Sequence, residues 1–420
     1  MKRTTGPVIG AALVATLLPL ASLCATAQPR PTPPDLPPTE LARQSIDQDP
    51  AVVEARRALI AARRGAAALR AGSHEWTTKL SAQRRRYDTG GNSNEWVASL
   101  ERTIRIGGKA GIDAQLGEAE LIVGQARIGE ARHEAARALV TLWIDALAAR
   151  RQRVLWVEQL DFAQASHQSV DKRRKAGDAS MLDLNVARAD LIEVQRQLSA
   201  ATSAEAKAKA KLVVRFPTLT GEPPPLAEPM ALDMSLAQWR ERILAESDPI
   251  KIAAGLLTMA ELSATRAKSE RIPDPTLGVY TASEAFRNER IIGLSVSIPL
   301  SGTYRSERAQ QALQEADAAR ARLERQKRDE EAEILEAFTD ATGGLDRWHL
   351  ALQALAITRD NARLMQRAYT LGEADLQTLL LARRQALDAS TATEQARVDA
   401  LRSHYRLLLD AHLIWALEED

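Results

Sequence analysis

Two runs of roughly seventy residues, 108–177 and 302–372, contain no proline and place apolar residues at three-to-four spacing, as in Leu139, Leu142, Trp143, Ala146 and Leu147. At about 1.5 Å per residue, each run predicts a helix about 100 Å long. Such a helix cannot be buried in a core of its own, and its apolar seam needs neighbours along its whole length. Residues 49–71 and 181–214 read as shorter helices that together supply one antiparallel neighbour. The remaining faces are rich in Ala and Leu as well as Arg and Glu, so further helices, including those of other chains, are expected to pack there. The paired glycines Gly343 and Gly344 are expected to loosen the second long helix.

Each long run ends at a glycine followed by another helical pattern: KAGDASMLDLNVAR at residues 175–188 and TLGEADLQTLLLAR at 370–383. These are not the only matching phrases. DPAVVEARRALIAAR from Asp49 aligns with DPIKIAAGLLTMAEL from Asp248, and IRIGGKAGIDAQLGEAE from Ile104 with IPLSGTYRSERAQQALQEA from Ile298. Three ordered matches at nearly constant offset predict an internal duplication. The first repeat spans residues 41–215 and the second 235–420, preceded by a proline-rich leader at 28–40 and separated by a linker at 216–234 with FPTLTGEPPPLAEP at its start. The leader is expected to run extended.

The 420-residue chain is 26% charged with a net charge of +1, so no basic bias argues for nucleic acid. Lys2 and Arg3, the apolar stretch 8–20 and the small residues at 25–27 read as a signal peptide over residues 1–27, so the mature protein is expected to leave the cytoplasm. Cys24, the only cysteine, precedes the cleavage site. A lipidated Cys24 is the competing reading, against which Leu23 stands because lipidation favours a small residue there. No later stretch has the 18 to 20 or so apolar residues of a membrane-spanning helix, so integral contact with a membrane would use strands.

Residues 76–87 and 95–106 flank DTGGNSN, and residues 275–284 and 290–300 flank AFRN, giving one hairpin per repeat. Trp96, Ala98, Leu100, Ile104 and Ile106 alternate onto one face, as do Ile292, Leu294, Val296, Ile298 and Leu300. Strands of this length match the ~9 to 11 residues that cross a bilayer when tilted. Four strands cannot close a barrel and open edges are not tolerated in lipid, so several chains would share one. A soluble sheet with one buried face is the alternative. Arg84, Arg85 and Arg86 suit a barrel rim or headgroup position.

Signal segment, duplicated halves, a hairpin feeding a long helix, and the tip phrases GDASMLDLNVAR and GEADLQTLLLAR together resemble the TolC family of outer-membrane efflux proteins, over about residues 41–416. The resemblance implies a mainly α fold with a small β part: a homotrimer whose outer-membrane β-barrel, four strands per protomer, continues into a periplasmic α-helical barrel. It also implies an exit duct of a tripartite pump, located in the outer membrane with its lipid and partnered by a periplasmic membrane-fusion adaptor and an inner-membrane transporter of the RND type. The glycine breaks become periplasmic tips where the adaptor docks, on Arg173, Arg174, Lys175, Gly177, Asp178, Gly372, Glu373 and Asp375. Gate or lumen positions fall on Asp183, Thr378 and Leu381. Some relatives carry acidic residues at the second tip where this chain has Thr378 and Leu381, so that tip departs from the pattern. Short length and the lack of a C-terminal extension resemble the heavy-metal efflux subgroup. A protein-secretion channel and a periplasmic coiled-coil scaffold or adaptor are the alternative functions.

Enzyme chemistry has no foothold. His74, His133, His167, His349, His404 and His412 are scattered without a same-face pair, so no metal ligands and no cofactor are expected. GGKAG at 107–111 lacks phosphate-loop spacing and reads as the turn into the first long helix. The acidic run 328–338 reads as a solvated face, with Glu330, Glu331 or Glu333 setting negative potential in a tunnel as the functional alternative. Trp143 and Phe338 occupy matching positions and read as helix packing. No acid–base pair or activated nucleophile emerges.

Overall fold

A computed structural model describes residues 31–219, 221 and 224–417. The expected signal peptide and Cys24 lie outside the described residues. The elements are α1 (Thr39–Asp47), α2 (Pro50–Ala71), β1 (Thr77–Arg86), β2 (Asn92–Thr103), α3 (Lys109–Lys175), α4 (Met181–Arg215), α5 (Leu236–Glu246), α6 (Asp248–Ser269), β3 (Thr276–Glu284), β4 (Glu289–Ser297), α7 (Thr303–Leu371) and α8 (Leu376–Asp410). Two helices, two strands, a long helix and a further helix thus follow one another twice. No helix among the described residues is long and apolar enough to cross a membrane.

The long helices α3 and α7 run for 67 and 69 residues, about 100 Å each at 1.5 Å per residue. Neighbours cover them in relay: α2 and α4 pack on α3, α6 and α8 on α7, and α3 also meets α6 and α8. Small residues set the closest approaches. A Cβ added to Gly117 would lie 2.9 Å from the Ala66 Cα, and one added to Gly124 would lie 2.9 Å from the Leu59 Cδ1. Seven residues separate the members of each pair on both helices, which is the repeat of a coiled-coil seam. Gly117→Leu should therefore push α2 off α3 and cost about 1–3 kcal/mol, read as a lower unfolding midpoint. Gly111→Leu, where an added Cβ meets nothing within 4 Å, should leave the midpoint near that of the parent.

Helix α7 passes through Gly343 and Gly344 unbroken, contrary to the expected loosening. Gly344 instead admits α8, since its added Cβ would approach the Ala400 Cα to 3.1 Å. The entropy that glycine forfeits in a helix is spent here on helix contact.

The main apolar core lies midway along the helices and gathers Ile46, Trp143, Phe216, Trp239, Tyr405 and Trp415, with Phe338 partly buried against it. The leader does not simply run extended, because the Leu36 amide donates to the Pro33 carbonyl at 3.0 Å and Asp35 is fully buried. The Asp35 carboxylate accepts from the Tyr405 hydroxyl at 2.5 Å and the Ala227 amide at 3.0 Å, and its carbonyl accepts from Trp143 Nε1 at 2.6 Å. One aspartate so ties leader, inter-repeat segment, α3 and α8 together.

The strands form one antiparallel sheet in the order β1-β2-β3-β4, with β1 and β4 at its edges. The β2–β3 ladder closes at Thr103 opposite Thr276, after which the Ile104 amide still reaches the Pro275 carbonyl at 2.9 Å. Pro275 has no N–H to extend the ladder. Ile104 and Ile106 therefore lie beyond β2, and Ile298 and Leu300 beyond β4.

Candidate functional site

Register decides which strand residues share a face. Leu100, Val279 and Leu294 are cross-strand partners, as are Leu80, Ala98, Thr281 and Ile292 in the neighbouring row. With Trp96, Leu277 and Val296 they form one apolar face across all four strands, on which Ile292 is 88% and Leu294 81% exposed. The other face is polar and internally paired: Lys79 to Glu101 at 2.7 Å, Gln83 to Glu95 at 2.9 Å and Arg85 to Glu95 at 3.2 Å. Strands of 10, 12, 9 and 9 residues have the length that a tilted strand needs to cross a bilayer. Arg84, Arg85 and Arg86 close β1 beside the turn, Arg84 on the apolar face and Arg85 on the polar one. Across the two hairpin ends, Tyr87 stacks on Phe286 with ring centroids 5.3 Å apart.

Where sheet meets helices, Lys109 is fully buried. Its ammonium donates to the Asp274 carboxylate and the Ile272 carbonyl, both at 2.7 Å, while the same Asp274 oxygen accepts from the Ile106 amide at 2.9 Å. The GGKAG turn thus serves a joint between first and second hairpins and not a phosphate. Arg105 and Arg266 converge on Asp113, each at 2.7 Å, and Arg105 also caps the Leu69 carbonyl at 2.8 Å.

At the opposite end of α3 and α7 the two glycine breaks adopt one geometry. Gly177 and Gly372 have φ of 88° and 79°, a region open to glycine and strained for most residues. The Asp178 amide donates to the Arg173 carbonyl at 2.8 Å and that of Glu373 to the Ala368 carbonyl at 2.9 Å, each bonding five residues back. Gly177 and Gly372 themselves bond three residues back, both at 3.1 Å, completing a Schellman motif at each tip.

The caps of the next helices stand three residues later and have inverted chemistry. Ser180 caps α4 in a box with Asp183, whose carboxylate accepts from the Ser180 hydroxyl at 2.8 Å and amide at 3.0 Å. In α8 the acid is the cap itself, and the Asp375 carboxylate accepts from the Thr378 amide at 2.7 Å. The acidic group has moved from the third helical position to the cap, which leaves threonine at 378. Hydrogen bonds from Ser180 hold Asp183 below the usual carboxylate range, and the Thr378 amide does the same for Asp375. Both carboxylates are therefore charged at neutral pH and committed to helix starts, where the backbone dipole favours them. Asp375→Ala should lower the unfolding midpoint of the tip by about 0.5–2 kcal/mol in equivalent stability, and Asp375→Asn by far less; hydrogen exchange at the start of α8 would read the difference.

The tips also touch each other. Val170, Ala187 and Leu376 form a small buried cluster, joined by Leu184, Tyr369 and Leu380. The Arg173 guanidinium lies 5.2 Å from the Tyr369 ring centroid, and Lys175 pairs with Asp171 at 2.6 Å and Arg174 with the same residue at 3.7 Å. Lys175, Gly177, Asp178, Gly372, Glu373, Asp375, Thr378 and Leu381 are exposed, while Arg173, Arg174 and Asp183 are half-buried. All the tip residues singled out from sequence thus lie at one end of the molecule, far from the sheet.

In the acidic run, Glu331 pairs with Arg240 and Glu333 with Arg406, each at 2.9 Å. Glu330 faces a groove of about 1210 Å³ that Glu333 also lines and that it shares with Glu130. Burial, with a lesser effect of nearby carboxylates, raises both, Glu130 to about 7. Among the described residues no group of three or more His, Cys, Asp or Glu side chains is placed to hold a metal ion. Among the pairings that sequence reading missed, His133 and His412 meet with their Nε2 atoms 2.8 Å apart. Their separation along the chain left no local signal.

No protein-family model and no curated protein matches the sequence. Solved structures do match. The outer-membrane channel OprN superposes with a TM-score of 0.76 at 20% identity, covering 90% of each chain. VceC, an outer membrane protein of Vibrio cholerae, gives 0.72 at 17% identity over 90% of this chain and 95% of its own. CusC, studied for transmembrane channel formation, gives 0.69 at 16% identity over 89% and 91%. The fold is that of the TolC-like outer-membrane channels, as the resemblance in the tip and hairpin phrases implied.

Proposed function

We propose that the chain is one protomer of a homotrimeric outer-membrane channel, the passive exit duct of a tripartite efflux pump. The observation that carries this reading is the sheet: an exposed apolar face of membrane-crossing length, an internally paired polar face and two open edges, set on helices about 100 Å long. Lipid does not tolerate open edges. Pairing of β4 of one copy with β1 of the next removes them, and three copies of four strands give a twelve-stranded barrel with the polar face inward. The matching order of elements and the matching tip motifs fit duplication of one repeat.

In this reading the helices form a periplasmic tunnel, and a membrane-fusion adaptor docks on the exposed tips around Gly177 and Gly372, linking the duct to an inner-membrane transporter of the RND type. Metal cations are the substrate class, on the strength of the resemblance to the heavy-metal subgroup. Growth of a deletion strain on metal salts, with polypeptide export measured beside it, separates this substrate from a secreted protein. The function itself is tested by fractionation: the mature protein belongs in the outer membrane as a trimer, and recovery as a soluble periplasmic monomer would sink the proposal.

Charge at the tip is open to a clean test, because asparagine can keep the oxygen that Asp183 offers to the Ser180 cap while removing its charge. Asp183→Asn should change single-channel conductance or adaptor dependence without loss of α4; unchanged values of both would remove Asp183 from the gate.

A further inference from the structure

His133, on α3, is 4% exposed, and His412 follows α8 in a short segment with φ of +56°. That backbone is unfavourable for a residue other than glycine or asparagine, and it is held in place by its surroundings, with the Ala411 carbonyl accepting from Arg242 at 2.8 Å and Trp415 bonded to the Pro37 carbonyl at 3.1 Å. The result is two imidazoles with centroids 4.3 Å apart, planes at 56° and Nε2 atoms in contact at 2.8 Å. Both rings line a cavity of about 550 Å³, shared with Glu246 and Asp248.

We propose that His133 and His412 form a two-histidine site for a borderline transition-metal cation of the Zn2+ type, with water from the cavity completing the coordination. At Zn–N distances of about 2.0–2.1 Å, tetrahedral ligation needs the two nitrogens about 3.3 Å apart. A separation of about half an ångström, within reach of ring rotation, converts the present contact into a chelate. The nitrogen that carries a proton in this contact gives it up, and that ring takes one at Nδ1, so the swap is neutral overall. Imidazole suits Zn, Cu and Ni better than it suits the hard cations. The neighbouring cations do not oppose binding, because Arg132 pairs with Asp47 at 3.1 Å, Lys251 with Glu246 at 2.9 Å and Arg137 with Asp410 at 2.9 Å. A bound ion would staple the segment after α8 to the middle of α3, independently of what the channel carries.

The test is titration of the purified full mature chain, freed of any affinity tag, with ZnCl2 alone by calorimetry, and with CoCl2 followed by visible absorption. One saturable site per protomer is expected, together with a rise in unfolding temperature on adding Zn2+. His412→Asn, which suits the left-handed backbone, should weaken binding by at least about tenfold and abolish that rise, and His133→Asn should do the same where it folds. Binding that is absent, or that His412→Asn weakens by less than tenfold, overturns the proposal.

Discussion

Leu294→Arg is expected to remove most of the assembled protein from the outer-membrane fraction. Leu294 sits mid-strand in the row Leu100, Val279, Leu294 and is among the most exposed apolar side chains of the sheet. A charge on a lipid-facing strand position near the bilayer midplane costs about 2–4 kcal/mol, and a trimer carries it three times. That sum rivals the whole stability of an ordinary domain, about 5–15 kcal/mol. The adjacent Ser295 points to the opposite face, beside Gly278 and Glu101. Ser295→Arg should therefore leave assembly near the parent level and change only ion selectivity. Heat-modifiable trimers counted in outer-membrane fractions distinguish the two variants. Equal loss in both would mean that the apolar face does not meet lipid.

The second large effect is expected at the middle of the molecule. Asp35→Ala strands the Tyr405 hydroxyl and the Ala227 amide, both now bonded to the Asp35 carboxylate. Each buried donor left without an acceptor costs about 1–3 kcal/mol, and the cavity adds to it. Burial raises the Tyr405 hydroxyl's pKa, with the Asp35 charge adding to it, so at neutral pH the phenol is a donor that needs an acceptor. The unfolding midpoint should drop, and protease should cut the leader near residue 35 before the helices. Asp35→Asn keeps the shape and one acceptor oxygen and should lose about half as much. An unchanged midpoint in Asp35→Ala would mean that the leader is not held by this carboxylate.

What the sequence disclosed was local or periodic. Long helices, hairpins and glycine breaks each write their geometry into neighbouring residues: three-to-four spacing around Leu139 and Trp143, alternation from Ile292 to Val296, glycine followed three residues later by a cap. Alternation continues past the strands through Ile298 and Leu300, yet the ladder stops, because prolines beside the ends of β3 and β4 cannot donate. The tips were placed by their glycines, whereas the exchange of cap and partner between Ser180–Asp183 and Asp375–Thr378 appears only once hydrogen bonds are drawn. Asp35 with Tyr405, Lys109 with Asp274 and His133 with His412 pair across 370, 165 and 279 positions. No window of sequence spans such pairs, since the fold alone brings them together. Gly343 and Gly344 differ from expectation for a related reason: their cost to an isolated helix is legible, but the close approach of Ala400 to Gly344 is not.

The central claim, that copies of this chain close a membrane barrel leading into a helical tunnel, is tested most directly by single-channel recording of the purified mature protein in planar bilayers. Stepwise conductance of uniform size, carried by trimers and lost with Leu294→Arg, is the predicted result. A protein that stays monomeric in detergent and adds no steps to the bilayer current would contradict it.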